Sequence, residues 1–397
     1  MPILHPSQPL LIRRKKRRTR ISRLNPFPPF VRRAFGFLLV GTAFLLNACS
    51  WFAPKRAAHV NRREIELRIR DRIEAAGGPR VWVKIHPGAP FPPERADTAT
   101  EVVVADGAID AVLSAIRQEA KTAGLVCIAR QAGSPGKGKT VETRLLHNSR
   151  LVGRWRLIPV RRLYCAAIII DDLGEDLEVG RRLMRLPYPL TLSVLPYLRH
   201  STEIAEAAHR AGREVMLHLP MEPEPGSLIS PGRGEVRKGM SPNEVERTVL
   251  RDIDAIPYVA GANNHMGSRA TTDARLMAAT MRVLAERGLF FVDSRTTAAS
   301  VALEEARRAG LAAFYRSVFL DDHETVDYTL EELRRFQRVV EQQGVALAIG
   351  HPHPTTLAAL EEFLPRLESD NIRLVPVSEM VRLPEVAHLS PSRPAGR

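Results

Sequence analysis

A chain of 397 residues that is 44% hydrophobic and 26% charged has the balance of a folded protein and the length of two domains, which excludes disorder throughout. Its formal charge of +14 would suggest a nucleic-acid partner, but ten Lys or Arg and no acid fall within residues 1–33, leaving +4 for the rest. The basic character belongs to a tail, so no nucleic-acid partner is expected.

Residues 1–53 read as that tail followed by an export segment. Arg13, Arg14, Lys15, Lys16, Arg17 and Arg18 precede an uncharged run from Ala34 to Pro54, whose core Phe35–Leu46 fits the apolar region of a signal peptide. Leu46-Asn47-Ala48-Cys49 resembles the bacterial lipoprotein box, which would make Cys49 a lipidation site. An uncleaved membrane anchor is the alternative, because 21 uncharged residues approach the length that spans a bilayer. Either way the expected location is the bacterial cell envelope, with the folded part exported and facing the periplasm.

Residues 54–160 read as a small α/β accessory module. Arg62–Ala76 and Ala108–Ala123 have helical spacing, and Val81–Ile85 and Leu125–Arg130 read as strands. Val141–Leu146 and Leu151–Val160 form an expected hairpin around His147-Asn148-Ser149-Arg150. Cys127 and Cys165 lie in apolar runs and are assigned to packing. The module carries no evident chemical constellation.

Residues 161–384 alternate regularly. Strand candidates are Leu163–Ile170, Thr191–Leu195, Glu214–Leu219, Val259–Asn263, Leu289–Val292, Ala312–Leu320, Val345–Ile349 and Ile372–Val377. Helical faces between them include Met277/Met281/Leu284, Leu333/Phe336/Val340 and Leu357/Leu360/Leu364/Leu367. Such alternation implies parallel βα units, hence a barrel or an open doubly wound sheet. No GxGxxG or Walker sequence follows any strand. Residues 385–397, rich in Pro and Ser, read as a frayed, disordered tail.

Polar residues gather where the apolar runs end, and in a βα barrel all strand C-termini open onto one face. Asp171-Asp172 follows three isoleucines; one Asp would ligate a metal and its neighbour face a water, or either would cap the next helix. His218, Glu222 and His265 offer the imidazole and carboxylate ligands that suit Zn²⁺. Asn263 and Asn264 would orient loops or bind a sugar-like substrate, and Asp293 would hold a histidine or Arg295 in position. Of His351 and His353, one supplies an acid and the other is structural. Asp321-Asp322 would be substrate contacts or a solvated turn.

Over about Leu163–Leu383 these motifs resemble the divergent branch of the polysaccharide deacetylases. The resemblance rests on Ile-Ile-Ile-Asp-Asp-Leu-Gly (168–174), His-Leu-Pro-Met-Glu-Pro (218–223), Asn-Asn-His-Met-Gly-Ser (263–268), Val-Asp-Ser-Arg-Thr-Thr (292–297) and Gly-His-Pro-His-Pro (350–354), in that order. It implies an α/β fold with a deformed (β/α)7 barrel and a divalent metal, usually Zn²⁺. It also implies metal-assisted hydrolysis of N-acetyl or O-acetyl groups on an acetylated polysaccharide or peptidoglycan-like glycan. Mainstream members have Thr-Phe-Asp-Asp where this chain has Ile169-Ile170-Asp171-Asp172, which would make Asp171 the base and Asp172 a metal ligand. Their His-x-x-x-His pair is His218-x-x-x-Glu222 here, so the second histidine's place falls to Glu222 or, the preferred choice, to His265. Their Arg-x-Pro-Tyr motif is missing, and Ile349-Gly350-His351 matches the final Leu-x-His, making His351 the acid. The alternatives are a catalytically inactive carbohydrate-binding or scaffold protein on the same barrel and, more weakly, a metal phosphoesterase.

Overall fold

The computed structural model describes residues 61–84, 90–132, 139–384, 386 and 389; the basic tail, the apolar run and Cys49 lie outside them. Among the described residues no helix is long and apolar enough to cross a membrane. Two separate sheets are built.

The first sheet belongs to α1 (Arg62–Gly77), β1 (Val81–Lys84), β2 (Ala99–Ala105), α2 (Ile109–Thr122), β3 (Val126–Ala132), β4 (Thr140–His147) and β5 (Arg150–Val160), in the strand order β1-β2-β5-β4-β3. Both helices lay their apolar stripes on it: Ile69, Ile73, Val112 and Ile116 pack with Val102, Trp155 and Leu157 in one core. The sequence reading omitted β2, which pairs with β1 on one side and β5 on the other. Its Val102-Val103-Val104 is buried on both faces, so it shows neither the alternation of a surface strand nor a helical period.

The second sheet is parallel throughout. In chain order it uses β6 (Tyr164–Leu173), α3 (Leu177–Arg185), β7 (Thr191–Val194), α4 (Ser201–Arg210), β8 (Glu214–Met221), α5 (Pro242–Ala255), β9 (Val259–Met266), α6 (Ala274–Glu286) and β10 (Phe290–Asp293). It continues with α7 (Ala302–Arg308), β11 (Ala313–Tyr315), β12 (Val318–Phe319), α8 (Val326–Gln343), β13 (Val345–Gly350), α9 (Pro354–Ser369), β14 (Ile372–Leu374) and α10 (Val377–Met380). The order is β11-β10-β9-β8-β7-β6-β13-β12, with β14 beside the start of β6. The expected single strand Ala312–Leu320 is therefore two strands at opposite edges, joined by Arg316 and Ser317 alone. Counting that broken strand as one, seven βα units curl into a barrel whose ladder stays open between β11 and β12.

The anticipated helix faces are the buried ones. Met277, Met281, Leu284, Leu333, Phe336, Val340, Leu357, Leu360, Leu364 and Leu367 are all in the barrel core, where a large apolar side chain contributes about 1.5–3 kcal/mol by burial. Val386 also packs there and Arg307 donates to its carbonyl, which corrects the expectation of a frayed tail from residue 385. The thiols of Cys127 and Cys165 border different cores.

One buried acid away from the barrel mouth gives a stability prediction. Asp252 on α5 is fully buried; Tyr197 donates to its Oδ1 at 2.7 Å, and its Oδ2 has no partner among the described residues. Burial, only partly offset by that hydrogen bond and by Arg251, pushes its pKa from 3.8 up to about 7. The folded state then binds more protons at this group than the unfolded state between these values, so the contribution of Asp252 to stability is greatest below about pH 4 and is lost as pH rises to about 7. Asp252→Asn should flatten that slope and stabilise the protein at pH 8 by on the order of 2–3 kcal/mol. Urea unfolding at pH 5 and 8 checks this; parallel pH profiles for both proteins would refute it.

Candidate active site

The mouth of the barrel is assembled from strand ends. Ile170 pairs with Gly350, which sets His351 beside Asp171. Between Ile170 and Leu173 the ladder with β7 carries a bulge, and within it Asp172 has a φ of +55°. That left-handed backbone costs a non-glycine residue on the order of 1 kcal/mol. Simple strand alternation would send the two aspartates to opposite faces; the bulge brings both into one cluster. Asp176 caps α3 instead, accepting from the amides of Glu178 and Val179, so neither Asp171 nor Asp172 serves as the cap.

Across the sheet His218 on β8 is registered with Asn263 on β9, and Pro220 with His265. With a period of two along β9, Asn263 and His265 share one face and Asn264 takes the other. Close approach to the neighbouring strand is eased at Gly261, where an added Cβ would meet the Phe290 ring.

Three donor atoms meet. Asp172 Oδ1 lies 3.1 Å from His218 Nε2 and 2.9 Å from His265 Nδ1, and the two ring nitrogens are 3.1 Å apart. Oδ1 is buried and receives no hydrogen bond. A carboxylate oxygen and two imidazole nitrogens crowding one point, with only the ring nitrogens in hydrogen-bond contact, is an arrangement that a cation relieves. Zn²⁺ at 2.0–2.2 Å from N and O ligands would hold tetrahedral neighbours roughly 3.3 Å apart, so the donor set fits such an ion. Burial opposes the charge on Asp172, but the contacts with His218 and His265 outweigh it and hold the carboxyl well below the usual range.

The flanking groups differ in character. Asp171 is buried, and Asn263 Nδ2 lies 2.9 Å from each of its oxygens. Burial raises its pKa, against the smaller opposing pull of His218 and His351. His351 is held through Nδ1, 3.0 Å from Asp321 Oδ1, which leaves Nε2 facing the cleft 3.8 Å from Asp172 Oδ2. Asp321 Oδ2 accepts from the His351 amide at 2.6 Å and the Thr356 hydroxyl at 2.7 Å. Burial depresses the His351 imidazole, but Asp321 more than offsets it and raises the pKa to about 9.

The remaining candidates fall elsewhere. Glu222 is committed to Arg269 Nη1 at 2.8 Å and to the Lys238 amide at 2.7 Å, so it stands apart from the donor atoms. Asn264 accepts from the Ser294 amide and donates to the Met266 carbonyl, a loop-holding role. Asn263 is fully buried, which removes it from contact with a sugar. Asp293 holds no histidine; it accepts from the Arg295 amide and the Ser300 hydroxyl. The Arg295 guanidinium lies over the Tyr315 ring at 5.9 Å. His353 has Glu324 at 3.6 Å, and with Asp321 and His351 offers a second group of possible ligand atoms within 4.8 Å. Both oxygens of Asp321 are already committed, which makes that group the poorer candidate.

Sequence reasoning missed Ser193, Arg316 and Thr356. Ser193 donates to Asn263 Oδ1 at 2.6 Å, and Arg316 binds the Ser294 and Arg295 carbonyls while stacking on Phe319. A serine inside the fully buried run Thr191–Val194 was the available signal, since buried polar side chains are satisfied by partners.

Fold and mouth together define a curled parallel α/β barrel with a carboxylate–dihistidine group that could hold a metal ion. The chain belongs to the divergent polysaccharide deacetylase family, whose model matches residues 168–381. It is 34% identical over 229 residues to the uncharacterized protein YibQ of Escherichia coli K12, covering 58% of this chain and 71% of that protein. An uncharacterized Haemophilus influenzae protein is 34% identical over 216 residues, covering 54% of this chain and 76% of its own length. Among solved structures, the uncharacterized protein ATU2773 of Agrobacterium tumefaciens C58 superposes with a TM-score of 0.53 at 24% identity, covering 55% of this chain and 89% of that one. That likeness shows the fold.

Proposed function

We propose that the protein is a metal-dependent hydrolase that removes N-acetyl or O-acetyl groups from an envelope glycan. The observation that carries this reading is the placement of a buried carboxylate, Asp171, and an oriented imidazole, His351, about one donor group formed by Asp172, His218 and His265. A divalent ion, when bound, supplies charge that polarises a carbonyl and makes a water molecule more acidic. Asp171, raised by burial yet carrying a full-time donor in Asn263, accepts the proton of the attacking water. His351 enters protonated at neutral pH, because Asp321 holds its charge, and gives the Nε2 proton to the departing amine or alkoxide. Zinc is the proposed ion from the mixed N and O donors. Export through residues 1–53, with attachment at Cys49, would put this chemistry beside the acetylated polysaccharide.

Acetate release from N-acetylglucosamine oligomers and from acetylated peptidoglycan fragments, with and without added zinc, tests the reading. Release that a chelator abolishes and zinc restores is expected. Glycan binding with no release would instead favour a non-catalytic carbohydrate-binding barrel. Asp321→Ala should lower turnover by about 10²-fold by freeing the His351 ring. The alkaline limb of its rate profile should also move down from the wild-type position, because the anion that raises the imidazole is gone. An unchanged alkaline limb would remove Asp321 from this role.

A further inference from the structure

Asn263 enters the reaction above only as a donor to Asp171, yet every polar capacity of its carboxamide is used. Nδ2 donates to both oxygens of Asp171 at 2.9 Å and to Ser294 Oγ at 3.1 Å. Oδ1 accepts from Ser193 Oγ at 2.6 Å and lies 3.1 Å from His218 Nδ1. We propose that Asn263 is a positioning residue that couples the two halves of the site, aiming the Asp171 carboxylate and fixing the His218 ring with the same amide. This inference rests on the hydrolase reading for what Asp171 and His218 do.

The orientation of the amide follows from what surrounds it. A carboxylate only accepts, so the NH₂ end must face Asp171. The reversed amide would set an oxygen 2.9 Å from both carboxylate oxygens and aim the NH₂ at the serine and the histidine. With Oδ1 therefore facing His218, Nδ1 must carry the hydrogen, and in the neutral ring that binds a metal the lone pair is left on Nε2, the nitrogen beside Asp172. Strand register makes this possible, since His218 and Asn263 are direct partners on neighbouring strands. Complete burial of Asn263 excludes direct substrate contact, so any effect of the residue passes through its neighbours.

The two halves can be separated by substitution. Asn263→Asp keeps an acceptor for His218 Nδ1–H but sets a carboxylate against Asp171. Asn263→Leu keeps the branched outline of the side chain and removes both interactions. In the full-length chain, with competition against a zinc chelator as one readout and acetate release from N-acetylglucosamine oligomers as the other, the variants should part. Asn263→Leu is expected to hold zinc about 10–100-fold more weakly than wild type. Asn263→Asp is expected to hold zinc at least as tightly as wild type while acetate release falls by about 10²-fold or more. A residue that merely supported the fold would weaken both readouts together in both variants. Zinc held by folded Asn263→Leu as tightly as by wild type would overturn the proposal, as would wild-type turnover in Asn263→Asp. Should Asn263→Leu fail to fold, the split between readouts in Asn263→Asp decides alone. A wild-type chain that takes up no zinc would defeat the hydrolase reading itself. A loaded, active wild type with indifferent Asn263 variants defeats only this coupling.

Discussion

Asp171→Asn should leave about one zinc bound and the fold intact while lowering acetate release by about 10²–10⁴-fold, the span that loss of a positioned proton acceptor produces. The substituted amide has the same shape as the carboxylate and can turn its oxygen toward Asn263 Nδ2, so one of the two hydrogen bonds that hold the position survives. What disappears is the ability to take a proton. Asp171 Oδ2 also stands 3.6 Å from His218 Nε2, farther than Asp172 Oδ1 at 3.1 Å, which is why metal content should be nearly indifferent to this change. Parallel measurement of zinc stoichiometry and acetate release is the check. Wild-type turnover in the loaded variant would take the proton-accepting role away from Asp171.

His265→Ala should have the opposite signature, because it removes one of the three donor atoms that meet at the mouth. His265 is partly exposed and its ring touches His218 and Asp172, so truncation leaves little unfilled core. Stability without metal should therefore change by less than about 1 kcal/mol. The response to metal should change far more. A ligand bound only by the folded state adds about 2.7 kcal/mol at a concentration one hundred times its Kd, and this increment should vanish in the variant. Thermal melts with and without zinc read it directly. Glu222→Gln serves as the contrast: its oxygens are engaged by Arg269 and the Lys238 amide, so it should keep the zinc-dependent rise. A variant pair behaving the other way round would move the third ligand to Glu222.

The barrel and most of its mouth were legible because strand ends announce themselves. Apolar runs closing on Asp171-Asp172, Asn263-Asn264-His265 and His351 need only the rule that parallel strands finish on one face. The choice between Glu222 and His265 was not legible, because a separation of four residues and one of forty-seven weigh equally until register is known. Register brings His265 and not Glu222 to the donor group: Pro220 lies opposite His265, and Glu222 lies beyond the end of β8. The hub at Asn263 was hidden for a related reason. Its partners Asp171, Ser193, His218 and Ser294 lie on four other segments of the chain, and nothing local marks an asparagine as buried. The bulge at Asp172 was equally silent, since a positive φ on aspartate leaves no spacing signature. Asp321 stood in the open as an acid after an apolar run, but its task depended on which strand lay beside it.

The gap in the sheet between β11 and β12 has a mechanical meaning. Arg316 donates its amide to the Asp293 carbonyl on one edge, and the very next amide, that of Ser317, donates to the Leu347 carbonyl on the other. A single covalent step thus spans the place where every other pair of neighbouring strands relies on a ladder. The mouth has a hinge pin there rather than a zipper, and the span between those two edges is limited by bond lengths. His351 directly follows the strand β13 at one side of that pin, and Ser294, the hydroxyl that braces Asn263, directly follows β10 at the other. Loosening the helices around the barrel would let the wall breathe, yet the span between the two sides of the site would be held by the backbone itself.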